Sequence, residues 1–327
     1  MVHVGILGLG PAWENRYRPT LQKLRERIRV RAIFDPVMSR AVDAARLFKA
    51  EPLAGINALV ARREIQALLI LHPDWRANVS LELIAQAQKP VFIAGSLGSD
   101  VEFMQQLHDR FNTTGSPAMP ELGRRYTPAT GRLQELMATK LGQPQRVSIS
   151  AITPSALPSE PIPGQKSETD FLIGLLDWCQ YVLRSRATSL RAEYSSANKN
   201  DYNISLFFGA QQTGNARQAE IKIVGSDNSS DSDKDETPSA PLTFEVVCEH
   251  GTATMSSTTD ICWQNGSTPQ SECLSADRPD IEVMLDLYCR RIVGGLIPVA
   301  DLRDVCRGLK MATAVKTSLA SGEELSL

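Results

Sequence analysis

The chain has 327 residues, 42% of them hydrophobic, and its 35 Lys and Arg against 37 Asp and Glu leave a formal net charge of −2. That length exceeds one ordinary core and predicts two domains. The balanced charge supplies no basic field for nucleic acid, and no apolar run reaches the roughly 18 residues that a membrane span needs.

An apolar strand, Val2 to Leu7, opens the chain and runs into Gly8, Leu9, Gly10, Pro11 and Ala12. A polar stretch follows, and a second apolar run, Val30 to Phe34, ends at Asp35 and Pro36. Strand, paired glycines, helix, strand and strand-end acid is the order a dinucleotide site requires. Glycines let the backbone approach a pyrophosphate, and a helix N-terminus faces its charge. Asp35 is placed to accept ribose hydroxyls and so favours NAD, while Arg40, a turn away, softens that preference and leaves NADP possible. The third small residue of G-x-G-x-x-G/A would fall at position 13, which is Trp13. A doubly wound domain without a nucleotide stays open, with the indole blocking the pyrophosphate site as its cause.

Helices are predicted over residues 39–48, 56–63 and 76–88, with strands at 66–71 and 90–94 between and after them. Asp100 is read as the cap of a helix carrying Phe103, Leu107 and Phe111. Strands alternating with helices imply a parallel sheet. Past Pro128 a helix spans about 129–139, and strands follow at 146–152, 189–195, 204–208, 219–224, 242–248 and 252–256. Residues 226–240 read as a solvated hydrophilic loop. They lack the Gly and bidentate Glu of a calcium loop. Two helices, 281–294 and 301–321, end the chain. The fold class is thus α/β. A Rossmann doubly wound parallel sheet fills 1–122, and an α+β domain with a mostly antiparallel open sheet fills 123–327. The C-terminal helices are free to pack back on the first domain. That sheet's open face is predicted to expose apolar residues and to build a homodimer or homotetramer.

The six cysteines form no C-x-x-C pair, so no metal site is predicted, and reduced thiols fit a cytoplasmic protein. The strand that begins directly after Met1 reads as leaving no room for a signal peptide.

These residues resemble the glucose–fructose oxidoreductase/inositol dehydrogenase (Gfo/Idh/MocA) family. The likeness rests on Gly8-Leu9-Gly10, on Phe34-Asp35-Pro36 with Arg40-Ala41, and on Ile70-Leu71-His72-Pro73. It continues through Arg125-Tyr126-Thr127-Pro128 and the terminal helix pair beginning near Arg290. The resemblance implies hydride transfer between a nicotinamide ring and a sugar, polyol or related small molecule. It also implies a cofactor site at Gly8, Leu9, Gly10, Pro11, Ala12, Asp35, Pro36, Arg40, His72 and Pro73. The substrate side would comprise Gly95, Arg125, Tyr126, Gly174 and Asp177.

The family's proton relay is a Lys after strand five and an Asp-x-x-x-His pair on a helix. Here Gly95 stands at the Lys and Gly174 at the His, while Asp170 keeps the Asp. Glycine can neither exchange a proton nor steady an oxyanion through a side chain. Asp170 and Lys166, four residues before it, remain the catalytic candidates. His72 reads as packing or a cofactor-side contact, and Arg124 and Arg125 either bind an anion or pair with carboxylates. Three readings stay open. The first is an oxidoreductase with a rebuilt acid–base group. The second is an inactive NAD-binding sensor or scaffold. The third is a different reaction in the same fold.

Overall fold

A computed structural model describes residues 1–72, 77–96, 98, 100–153, 167–195, 201–209, 217–225, 242–295 and 299–327. Pro73, Trp75, Lys166 and the 226–240 loop lie outside the described residues. The chain forms two compact units. One comprises Met1–Gly123, Pro158–Asp170 and Pro279–Leu309, and the other Arg124–Leu157, Phe171–Arg278 and Lys310–Leu327.

The first unit carries six parallel strands: β1 (Val2–Leu7), β2 (Ile28–Phe34), β3 (Glu51–Leu53), β4 (Ala67–Ile70), β5 (Val91–Ile93) and β6 (Ala118–Pro120). They lie in the order β3-β2-β1-β4-β5-β6, the doubly wound arrangement of dinucleotide-binding domains. β4 and β5 are buried at every residue, as strands covered on both faces must be. The linking helices are α1 (Arg18–Lys23), α2 (Met38–Phe48), α3 (Ile56–Val60), α4 (Ala77–Gln86) and α5 (Val101–Thr114). Asp100 caps α5 by accepting the Phe103 amide at 2.9 Å, and Met104, Leu107 and Phe111 are its buried face, so Met104 takes the place expected of Phe103. The later helix α8 (Asp280–Ile292) packs in this unit, where the buried Tyr288 hydroxyl donates to the Leu68 carbonyl at 3.3 Å.

The second unit holds α6 (Pro128–Leu136), most of α7 (Glu168–Leu183), the end of α9 (Leu302–Ser321) and a nine-stranded sheet. Its strands are β7 (Pro144–Ile152), β8 (Ser189–Tyr194), β9 (Tyr202–Phe208), β10 (Arg217–Val224), β11 (Leu242–Cys248), β12 (Gly251–Met255), β13 (Asp260–Gln264), β14 (Pro269–Cys273) and β15 (Leu325–Ser326). The order is β14-β13-β12-β11-β7-β10-β9-β8-β15. Every pair is antiparallel except β7 with β10. One face buries Val147, Ile149, Ile204, Leu206, Ile221 and Val246. The Trp178 ring of α7 lies 4.6 Å from Phe244 of β11, and the Ala192 amide of β8 donates to Ser318 Oγ of α9 at 2.8 Å.

The other face corrects an expectation. It presents Ser150, Asn203, Glu220, Lys222 and Glu245 to solvent, with Ile152 as its exposed large apolar residue and Phe207, Val224 and Val247 half-buried on it. The alternation that buries one side leaves a polar side, not an apolar one.

Between β1 and α1 the chain winds one π-helical turn, Trp13–Tyr17, whose Tyr17 amide reaches back to the Ala12 carbonyl at 3.3 Å. Glu121, after β6, is the anchor of this turn. It accepts from Arg16 Nη2 at 2.7 Å, Arg16 Nε at 3.1 Å and the Tyr17 hydroxyl at 2.7 Å, and Asp280 takes the other edge of the guanidinium. Burial, then the Glu121 charge, drives the Tyr17 phenol well above its usual range. Glu121→Ala leaves Tyr17 unpaired and half of Arg16 uncompensated, so it is expected to cost about 3 kcal/mol or more in urea unfolding. A loss under about 1 kcal/mol, the range of an exposed pair, would rule the anchor out.

Candidate functional site

The glycine turn after β1 is shaped by the chain around it. Gly8 has φ +70°, and a Cβ there would stand 2.4 Å from the His72 carbonyl oxygen. A Cβ on Gly10 would stand 2.9 Å from both the Leu71 carbonyl and His72 Cβ. His72 therefore serves this turn through its backbone and Cβ. Leu9 is buried, and its amide donates to Asp35 Oδ2 at 2.9 Å.

Asp35 is 3% exposed at the end of β2. Its Oδ1 accepts the Val37 amide at 2.9 Å, and Arg40 Nη1 lies 3.8 Å from Oδ2. Arg40 Nη2 also donates to the Gly10 carbonyl at 3.1 Å. The acid read as a ribose acceptor thus already joins the end of β2 to the glycine turn. A carboxylate has about four acceptor positions, so capacity for hydroxyl donors is left. Pro11 and Pro36 are exposed, and Ala12 precedes the π turn. The Trp13 and Glu14 amides donate to no backbone carbonyl among the described residues, which suits an anion at this end. The Trp13 indole is buried against Phe48 of α2, with ring centroids 5.9 Å apart. Turn, amides and strand-end acid together fit an adenine dinucleotide.

Gly95 follows β5 with φ +80°. A lysine at this position would carry backbone strain. Asp170 sits in the first turn of α7, where its Oδ2 accepts from the Ser167 amide at 2.8 Å and the Ser167 hydroxyl at 2.7 Å. The Asp170 amide returns a bond to Ser167 Oγ, which closes a capping box.

In the second unit, Arg125 and Asp177 form a buried two-point pair, Nε to Oδ2 at 2.8 Å and Nη2 to Oδ1. Arg125 also lies over the Tyr181 ring at 5.2 Å, and Tyr126 is half-buried in the same short turn. These substrate-side candidates engage each other. Arg124 behaves differently: its guanidinium lies over Phe171 at 5.7 Å and Phe244 at 5.6 Å. Its Nε is 3.5 Å from where a Gly174 Cβ would be. The sequence named Arg124 only as one of an Arg pair, and it gave no sign of Phe171 or Phe244. Among the described residues no three His, Cys, Asp or Glu gather as metal ligands, and no helix is long and apolar enough to cross a membrane.

No family model matches this chain, and no curated protein matches it. Solved structures match along nearly its whole length. A putative myo-inositol dehydrogenase from Sinorhizobium meliloti 1021 is 19% identical, with TM-score 0.77 over 100% of this chain and 99% of that one. The UDP-N-acetylglucosamine 3-dehydrogenase GnnA from Acidithiobacillus ferrooxidans is 18% identical, with TM-score 0.75 over 98% and 99%. An Agrobacterium radiobacter oxidoreductase in complex with NAD+, L-tartaric acid and magnesium is 14% identical, with TM-score 0.78 over 99% and 98%. The chain therefore has the two-part fold of these dehydrogenases.

Two substitutions check the roles above. Asp35→Ala is expected to lower the stability of the cofactor-free protein by about 2 kcal/mol, because two amides lose a buried acceptor. An unchanged melting curve would free Asp35 from the turn. Gly174→Ala is expected to raise stability by about 0.5–1 kcal/mol, since a methyl fits there and glycine is costly inside a helix. A loss of stability would show that Arg124 cannot yield any space.

Proposed function

We propose that this protein is an NAD(P)-dependent oxidoreductase of the Gfo/Idh/MocA type acting on a sugar, polyol or related hydroxylated molecule. The observation that carries this reading is the glycine turn locked to a strand-end Asp35 within the β3-β2-β1-β4-β5-β6 sheet. Fold likeness to inositol and sugar dehydrogenases supports it.

The bound coenzyme would accept or return the hydride. The turn at Gly8 to Ala12 would face its pyrophosphate, Asp35 would receive ribose hydroxyls, and Arg40 would border the 2′ position. Gly95 and Gly174 offer no side-chain acid or base. These two glycines favour a second reading, a coenzyme-binding sensor or scaffold that no longer transfers hydride.

Thermal shift with NAD and NADP, followed by reduced-nicotinamide absorbance across polyols, sugars and hydroxy acids, separates the two. Coenzyme binding with turnover supports the first. Binding without turnover across the panel leaves the second. No coenzyme binding sinks both. NAD is expected to bind more tightly than NADP, and Arg40→Ala to widen that ratio by about tenfold through loss of one charged partner of the 2′-phosphate. A narrowed ratio would contradict the role given to Arg40.

We also assign self-association, as a homodimer or homotetramer, to the open face of the nine-stranded sheet, where Ile152 is exposed and Phe207, Val224 and Val247 are half-buried among its polar residues. Lys222→Glu, which adds charge repulsion on that face, is expected to shift sedimentation toward monomer. A wild type that sediments as a monomer removes the assignment.

A further inference from the structure

Around Gly174 the second unit holds two guanidinium groups and one carboxylate. Asp177 is taken at two points by Arg125. Arg124 has no hydrogen-bond or ion-pair partner for its guanidinium among the described residues. Ring faces attract a cation but accept few hydrogen bonds, so among the described residues the donor fork of Arg124 is left to water or to a ligand. Its position is nevertheless fixed. The Arg124 carbonyl accepts from Thr130 Oγ1 at 2.8 Å, Trp178 Nε1 donates to the same hydroxyl at 3.1 Å, and the Trp178 ring packs at a tilt against Phe244. Burial lowers the Arg124 guanidinium to about 10, which leaves it charged at neutral pH. A half-buried cation with no counter-charge among the described residues is open to an anion from outside, and a glycine beside it leaves its edge free of any side chain at that position.

We propose that Arg124 is an oxyanion-binding residue, and that the molecule this protein acts on carries a carboxylate that pairs with this guanidinium beside Gly174. The planar fork matches a carboxylate at two points, and the pair would supply the missing negative charge. The substrate class is then a hydroxy acid or sugar acid, not a neutral polyol. The identity of that class rests on the oxidoreductase reading above, whereas anion binding by Arg124 does not.

The test titrates the full chain, with and without NAD, by calorimetry. The probes are D-gluconate and D-glucuronate against D-glucitol, myo-inositol and D-glucose 6-phosphate. The sugar acids are expected to bind at least about tenfold more tightly than the neutral compounds. Arg124→Met is expected to remove that advantage while the melting temperature holds or rises, because the thioether chain still packs on Phe171 and Phe244 and no hydrogen-bond or ion-pair partner among the described residues is lost. Arg124→Lys, which keeps the charge without the fork, is expected to retain part of it. Equal binding of acids and neutral polyols by the wild type overturns the proposal. So does an Arg124→Met protein that melts lower yet keeps the acid preference. Binding of the sugar phosphate alone overturns the carboxylate assignment. Acid binding without NAD reduction leaves the anion site standing and removes the oxidoreductase reading. Oxidation of neutral polyols without acid preference does the reverse.

Discussion

The glycine turn after β1 is gripped from both flanks, and the first unit is organised by that grip. The carbonyl of His72, leaving β4, occupies the space where a Gly8 side chain would begin. The carboxylate of Asp35, leaving β2, takes the Leu9 amide. β1 pairs with both of these strands, so the three C-terminal strand ends are tied to one turn. The glycines are therefore required by the protein's own backbone before any ligand is considered. The same restraints hold the turn and the amides that follow it in place without waiting for a coenzyme, which is preorganisation in its plainest form.

Three arginines contrast in how their charge is met. Arg16 is shared by Glu121 and Asp280, and the cluster also fixes a tyrosine hydroxyl. Arg125 and Asp177 neutralise each other. Arg124 is steadied only by aromatic faces and by bonds to its own backbone. The first two arrangements are complete within the protein. The third has no counter-charge among the described residues, and the proposed carboxylate would supply one.

Buried strands were legible in the sequence because β4 is an unbroken apolar run and β1 and β2 are apolar apart from His3, Gly5, Arg29 and Arg31. β3 and β6 are three residues each and contain Pro52 and Pro120, so neither shows a strand period. β14 has no buried residue and so no hydrophobic pattern to read. The glycine turn and the acid at the end of β2 were legible because they are local in sequence and ordered by a motif. The Arg124 group was not. It joins a turn, a helix and a distant strand, and an Arg-Arg pair does not say which member meets the carboxylate. Gly174 read as a deleted histidine, yet the structure shows an arginine stem lying against it. The polar sheet face was misread for a related reason. Strand runs in sequence show what is buried, but not how little apolar surface the alternate positions retain.

The π winding at Trp13–Tyr17 bears on how this chain is aligned with others. Successive residues of an α-helix diverge by about 100°, so neighbours do not share a target. Here Arg16 and Tyr17 converge on one carboxylate. The wide loop of backbone holds a supernumerary residue, and fixed-interval counting from the glycine pair falls out of phase beyond it. A one-residue gap after Trp13 is then the natural feature of any comparison with a chain that winds this segment conventionally.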